Sequence, residues 1–397
     1  MTMHQEPDHF IYLDNNATTA TETAVLAAML PWFDLRYGNP SSPHQFGHSV
    51  RAEVDAARQS IATLLGAERD EEVLFTSGGS ESNNTAILSA LEVMKGRREI
   101  VVSATEHASL LSLCSWLEAS GRARVHIIPV DQCGVIDREA FRNALSKDTA
   151  VASVQWVNNE TGVIQPVEEL AEMAHQVGAL FHCDAVQGVG RLRMHLQSTA
   201  IDMLSASAHK LHGPKGIGAL YLRRGTPFHP LIRGGHQQRG RRAGTENVPA
   251  IIGFGVAAEL AEKSITEDAL RLQGMRDRLQ EQILSLVPEA LVPGTAAPRV
   301  PNTLCVAFPD VEGEDLVQIL DQQGIAVSSG SACTSGMMEP SHVLRAMRVP
   351  VTHLFGAIRI SLSRQTVPEE PDALMRILPT ALKQIATTPV MEEVIHG

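Results

Sequence analysis

Apolar residues at Val50, Val54, Ala57, Ile61, Leu64 and Leu65 recur at a helical period and stop near Gly66, which predicts a helix feeding a strand. Short apolar runs of strand length then follow one another: Val73-Leu74-Phe75, Ile100-Val101-Val102, His126 to Val130, Val151 to Val154, Ala179-Leu180-Phe181 and Gly218 to Tyr221. Helical patterns separate several of them, such as Leu170, Met173, Ala174 and Val177. Strands alternating with helices predict an α/β architecture with a mainly parallel sheet covered on both faces.

From about Val256 the pattern changes to a long amphipathic helix with Leu272, Met275, Leu279, Ile283 and Leu286 on one face. Beyond it a small α+β unit is expected: strand Thr303 to Phe308, helix Glu314 to Gln322, strand Ile325 to Val327, helix Ser341 to Met347, strand Ile358 to Leu362 and a final helix. The chain is therefore divided into a large domain at 15–260 and a small one at 261–397, which also takes residues 1–14. No internal repeat or low-complexity tract interrupts this.

With 397 residues, 44% of them hydrophobic, there is enough apolar material for one large core and a smaller one. A net charge of −12 argues against nucleic acid or a membrane surface as the main ligand, and the densest basic run, Arg239-Gly240-Arg241-Arg242, is short and broken by glycine. Met1 to Phe10 is polar and shows neither a secretory nor a transit pattern, and no stretch is apolar enough to span a bilayer. Five cysteines, an odd count without CxxC spacing, fit reduced thiols in a cytoplasm. Metal-ligand spacing such as HExxH is absent, so no metal site is expected.

The polar residues stand just after the carboxyl ends of predicted strands, where a parallel sheet binds ligands. Thr76-Ser77-Gly78-Gly79-Ser80-Glu81-Ser82-Asn83 leads into a helix whose N-terminal amides and hydroxyls suit a phosphate, although a Gly-Gly turn capping a helix looks the same. Asp184-Ala185-Val186-Gln187 follows a later strand, and then comes Ser207-Ala208-His209-Lys210. Pyridoxal phosphate requires an amine to carry it, a carboxylate to keep its ring nitrogen protonated and donors for its phosphate. Lys210 would supply the amine, Asp184 the carboxylate and Gln187 a hydrogen bond to the phenolic oxygen. The Gly79-Ser80 turn, Ser207, His209 and Thr245 would hold the phosphate. Alone, Asp184 reads as a strand-end cap and Lys210 as a surface cation; their joint occurrence points to the cofactor.

Cys333 lies in the run Ser328-Ser329-Gly330-Ser331-Ala332-Cys333-Thr334-Ser335-Gly336. Small residues give such a segment no bulky anchor, which suits a thiol that swings between a pocket and an outside acceptor. Cys114, Cys183 and Cys305 fall in predicted strands or a helix and read as buried, Cys133 receives no role, and His182 reads as a satisfied strand-end histidine. Arg359 alternates with Ile358 and Ile360 and so faces away from them; its forked donors suit an α-carboxylate.

These residues, with Tyr12-Leu13-Asp14-Asn15-Asn16-Ala17-Thr18-Thr19, Gly38-Asn39-Pro40-Ser41-Ser42, Thr105-Glu106-His107, Val157-Asn158-Asn159-Glu160-Thr161-Gly162 and Arg241-Arg242-Ala243-Gly244-Thr245-Glu246-Asn247, make the chain resemble the cysteine desulfurases. They are a family of the class V aminotransferase superfamily on the fold-type I pyridoxal phosphate scaffold. The likeness runs nearly end to end and is strongest to the NifS branch, which serves nitrogenase, with the housekeeping IscS branch close behind.

The resemblance implies that His107 stacks on the cofactor ring and takes part in proton transfer, that Asn159 and Arg359 hold the substrate carboxylate beside the cofactor, and that Cys333 is the catalytic thiol. Thr245 matches a residue reaching the phosphate of the neighbouring subunit, which implies a homodimer. L-cysteine would become L-alanine, with the sulfur left as a persulfide on Cys333 for iron–sulfur assembly on a scaffold of the NifU or IscU type. Three other roles stay open at this stage: a housekeeping supply for RNA or cofactor thiolation, a noncatalytic sulfur carrier or scaffold, and a lyase acting on selenocysteine. Two departures stand out. Gly79-Ser80 replaces a turn whose second position is often threonine, and Gln238 stands where similar chains often carry an acid.

Overall fold

In chain order the strands are β1 (Ile11–Tyr12), β2 (Val73–Thr76), β3 (Glu99–Ser103), β4 (Arg124–Ile128), β5 (Thr149–Ser153), β6 (Leu180–Asp184), β7 (Met203–Ser207) and β8 (Gly218–Leu222). They are followed by β9 (Thr303–Ala307), β10 (Ile325–Ala326), β11 (Ser328–Ser329), β12 (Ala332–Thr334), β13 (Met337–Glu339) and β14 (Ala357–Ser361). The computed structural model describes residues 10–330, 332–334 and 337–387, with side chains described at 10–330 and 339–385.

Seven strands build the main sheet in the order β2-β8-β7-β6-β5-β3-β4. Every pair is parallel except those of β8, which runs antiparallel to β2 and β7. Side chains alternate across a strand, so one strand feeds two cores. Val73 and Phe75 of β2 join the core built with the helices Gln45–Leu65, Val167–Gln176 and the first part of Val248–Leu286. Leu74 between them joins the core of the helices Gly79–Val93 and Ala108–Ala119. Each fully buried side chain of this size, such as Phe181, contributes roughly 1.5–3 kcal/mol.

The helix Gln45–Leu65 ends as its periodicity requires. Gly66 takes φ +61°, and a Cβ there would run into the Met194 carbonyl oxygen, so glycine is demanded twice over. The long helix begins at Val248 rather than Val256, because Asn247 caps it by accepting the Ala250 amide at 3.3 Å and Pro249 follows within the first turn. Leu272, Met275, Leu279 and Ile283 are buried as expected, whereas Leu286, in the last turn, is 38% exposed.

β7 escapes the sequence reading. Its Met-Leu-Ser-Ala-Ser pattern is too polar for an isolated strand, and it is fully buried because a neighbouring strand satisfies its serine: His182 Nε2 on β6 lies 2.9 Å from the Ser205 hydroxyl. The chain turns out of β7 directly into Lys210.

A third core gathers Leu13, Leu272, Leu279, Ile283, Leu304, Phe308, Leu316, Ile358 and Leu374 around the three-stranded antiparallel sheet β11-β14-β9 and the helices Gly313–Gln322 and Glu369–Thr387. The helix Val248–Leu286 runs from the first core into this one. Near the N-terminus β1 pairs in parallel with β10, which brings residues 14–19 back to the main sheet. The backbones of β12 and β13 pair antiparallel, with Cys333 opposite Met338. No described helix is long and apolar enough to cross a membrane.

Candidate active site

A cavity of about 380 Å³ opens at the carboxyl ends of the parallel strands. Gly79, Ser80, His107, Asn159, Asp184, Gln187, Ser207, His209, Lys210 and Arg359 all line it, although they come from ten positions spread over most of the chain. Thr245 is exposed and is not part of the lining, and the side chain of Cys333 lies outside the described residues.

One end of the cavity is made for an anion. The helix Gly79–Val93 begins there, and its first-turn amides have no partner within the helix. A Cβ at Gly79 would stand 2.7 Å from the Val186 side chain, so only glycine lets this helix start so close to the cavity floor. Glu81 holds the loop 237–247 in place through a two-pronged pair with Arg242, at 3.0 and 3.2 Å. Burial opposes ionisation of Glu81, but the bonds from Arg242 and Ser77 outweigh it and hold the carboxyl below its usual range.

Asp184 ends β6 and is only 6% exposed. It accepts the Val186 amide at 3.0 Å and the Asn83 side-chain amide at 2.7 Å. Asn83 lies one helical turn after Gly79 and is 1% exposed, so a fixed donor fastens the acid from below.

Lys210 ends the short 3₁₀ turn Ala208–Lys210 that leaves β7. Its Nζ donates to the carbonyl oxygens of Asn16 and Ala17 at 2.5 and 2.7 Å. Burial first, and then the cations Arg191 and Arg359, bring its pKa down to about 8 against the pull of Asp14 and Asp184. His209 next to it is pushed down to about 4 by burial and by Lys210 and Lys215, so it is neutral near pH 7. Its Nδ1 lies 3.1 Å from the Thr18 hydroxyl.

His107 caps the helix Ala108–Ala119: its Nδ1 accepts the Ser109 amide at 3.1 Å, which leaves Nε2 as the nitrogen able to exchange a proton. Arg359 is 9% exposed on β14 and donates to Asp14 at 2.6 Å and to the Asn159 carbonyl at 3.2 Å; its Nε is buried with no partner among the described residues. The turn that carries Asn159 is tied by Asn158, whose side-chain oxygen accepts the Glu160 and Thr161 amides at 3.0 and 2.9 Å.

His182 is a satisfied core residue, held between the Ser153 and Ser205 hydroxyls at 2.8 and 2.9 Å and lowered to about 3 by burial. Cys114, Cys183 and Cys305 are buried, and burial raises all three thiols. Gln238, buried at φ +48°, accepts Arg58 and the Phe75 amide at 2.9 and 3.1 Å and donates to Glu246. An amide does both tasks at once, which a carboxylate cannot.

Sequence reasoning missed Asp14, Asn16, Asn83 and Arg191. A signal existed only for Asn83, four positions after Gly79 on one helix face. Asn16 reaches the cavity, and Asp14 reaches Arg359, through the pairing of β1 with β10, which no local pattern announces.

The cavity fits pyridoxal phosphate. It combines a buried acid fastened at the end of β6, an amine whose proton is loosely held, and hydroxyls with a helix N-terminus at the anion end. Its volume lies within the roughly 300–1,000 Å³ of small-molecule sites.

Comparison with known proteins agrees. The family model described as aminotransferase class-V matches residues 11–374. The chain is 56% identical over 375 residues to a cysteine desulfurase of Gluconacetobacter diazotrophicus, covering 94% of each chain. It is 51% identical to the cysteine desulfurase NifS of Azotobacter vinelandii, over 94% of this chain and 93% of that one. Among solved structures a NifS-like protein superposes with a TM-score of 0.88 at 36% identity, over 95% of this chain and all of the other.

Proposed function

We propose that this chain, which belongs to the aminotransferase class-V family and within it to the pyridoxal-phosphate-dependent cysteine desulfurases, removes sulfur from L-cysteine by dividing the work between Lys210 and Cys333. What supports this is one juxtaposition: Lys210, Asp184, His107 and Arg359 line a single cavity.

The bound cofactor supplies a protonated ring that accepts the electrons of a bond broken beside it. Lys210 carries the cofactor and Asp184, fixed by Asn83, keeps the ring nitrogen protonated. Gln187 donates to the phenolic oxygen, while Gly79, Ser80, Ser207 and His209 hold the phosphate. Arg359 and Asn159 grip the substrate carboxylate from the cavity wall. The Lys210 amine, freed when the substrate amine takes its place, would take the Cα proton, and His107 Nε2 would move a proton nearby. Cys333 as thiolate attacks the substrate sulfur: a sulfur–sulfur bond forms, the carbon–sulfur bond breaks, and its electron pair ends in a carbon–hydrogen bond of alanine.

Thr245, exposed and outside this cavity, serves the phosphate of a second copy, which makes the enzyme a homodimer. The large domain spans 15–260 and the small one 261–397 with residues 1–14; the cores on the two faces of the main sheet and the core around β11-β14-β9 support that division. The sulfur serves iron–sulfur cluster assembly in the cytoplasm through a NifU- or IscU-like scaffold. A relative named NifS supports the nitrogenase branch over a housekeeping one. Incubation with L-cysteine and a reductant tests the reading: alanine and sulfide should form in equal amounts, and Lys210→Ala should abolish both. Alanine production by Lys210→Ala at the wild-type rate would refute it.

A further inference from the structure

Arg191 lies four residues after Gln187 in a turn that folds back on itself. The Gly188 amide donates to the Ala185 carbonyl at 2.8 Å and the Arg191 amide to the Gly188 carbonyl at 3.0 Å. That return lays the guanidinium on Gln187 twice: Nη1 donates to the backbone oxygen at 3.0 Å and also to the side-chain Oε1. On its other side the Gln187 amide donates through Nε2 to the Asn16 carbonyl at 2.9 Å, the same oxygen that receives Lys210 Nζ.

A primary amide has one oxygen and two N–H donors. With the oxygen taken by a cation and one N–H by Asn16, a single N–H remains for any neighbour in the cavity. Reversing the amide would set its NH₂ group against the guanidinium, so Arg191 forbids the alternative orientation. Arg191 and Lys210 further share the lining of a second cavity, of about 50 Å³, with His212, Asp268 and Arg364.

We propose that Arg191 is a positioning residue: it locks the Gln187 amide so that an N–H faces the cofactor's ring oxygen, and it keeps a fixed cation beside Lys210. This rests on the reading of Gln187 and Lys210 as cofactor ligands.

Among the described residues the charges facing Lys210 are Arg191, Arg359, Asp14 and Asp184, with the neutral His209 adjacent; after burial, Arg191 acts on it most strongly. Losing Arg191 removes that cation and frees the amide to turn. Both changes raise the proton affinity of the nitrogen that joins Lys210 to the cofactor, one by lifting a repulsion and the other by weakening donation to the ring oxygen.

The test is a pH titration of the visible absorbance of the cofactor-loaded protein. Arg191→Met should move the midpoint up by about one pH unit, roughly tenfold in proton affinity. Arg191→Lys, which keeps the charge on a shorter side chain, should move it up by less. The double variant Arg191→Met/Gln187→Leu should shift it by less than the sum of the two single shifts, because the amide's part is lost only once. If Arg191→Met fails to fold, Arg191→Lys carries the same test, and a wild-type midpoint in the variants that fold overturns the proposal. Borohydride reduction and peptide mapping of the same samples report where the cofactor is attached. Attachment to another lysine defeats the underlying reading, whereas attachment to Lys210 with an unmoved midpoint defeats this inference alone.

Discussion

Lys210 and Asn16 meet across 194 positions of sequence, the amine donating to the Asn16 carbonyl oxygen at 2.5 Å. The contact depends on β1 holding the N-terminal segment against the small unit, so the register of two edge residues decides where the amine of the main sheet points.

Burial, Arg191 and Arg359 bring the pKa of the Lys210 amine from 10.5 to about 8, so in the cofactor-free protein about a tenth of it is free base at pH 7. Labelling with an amine-reactive reagent, mapped to Lys210, should rise with a midpoint near pH 8. A midpoint above 10 would contradict the assignment. Between about 8 and 10.5 the unfolded lysine still holds a proton that the folded one has shed, so this group makes the cofactor-free fold gain stability as pH rises through that window.

Arg359 is fastened on the cavity wall by Asp14 and the Asn159 carbonyl, which fixes its fork for gripping a carboxylate. Arg359→Lys should raise KM for L-cysteine about 10- to 100-fold, the loss of a charge-assisted hydrogen bond, with a smaller change in kcat. An unchanged KM would remove Arg359 from the substrate site.

His182 gives a stability prediction independent of catalysis. Burial lowers it from 6.5 to about 3 in the folded protein. The unfolded chain therefore binds one more proton across that window, and stability falls as pH drops from about 6.5 toward 3, by up to ~1.4 kcal/mol per pH unit. In urea unfolding, wild type should lose about 2 kcal/mol more than His182→Gln between pH 7 and pH 5. Equal losses would show that His182 is protonated in the fold.

The large sheet was legible where its strands are short apolar runs between helical patterns, as at Ile100-Val101-Val102 and Ala179-Leu180-Phe181. β7 was not, because Ser205 is tolerated in a buried strand only through His182 on the strand beside it. Arg359 was visible because alternation with Ile358 and Ile360 turned it toward a pocket, and both isoleucines are fully buried. The partners that tune the site were hidden. Arg191 grips Gln187 through a non-helical turn, and Asp14 meets Arg359 through a strand pairing distant in sequence, so neither leaves a periodic trace.

The most direct measurement follows the sulfur. The protein is exposed to L-cysteine without reductant, digested, and mapped by mass spectrometry. One added sulfur atom on the peptide holding Cys333, absent in Cys333→Ala although that variant keeps its bound cofactor, is the expected result. An added sulfur on Cys133 or another cysteine, or undiminished sulfide release by Cys333→Ala, would contradict the division of work between amine and thiol.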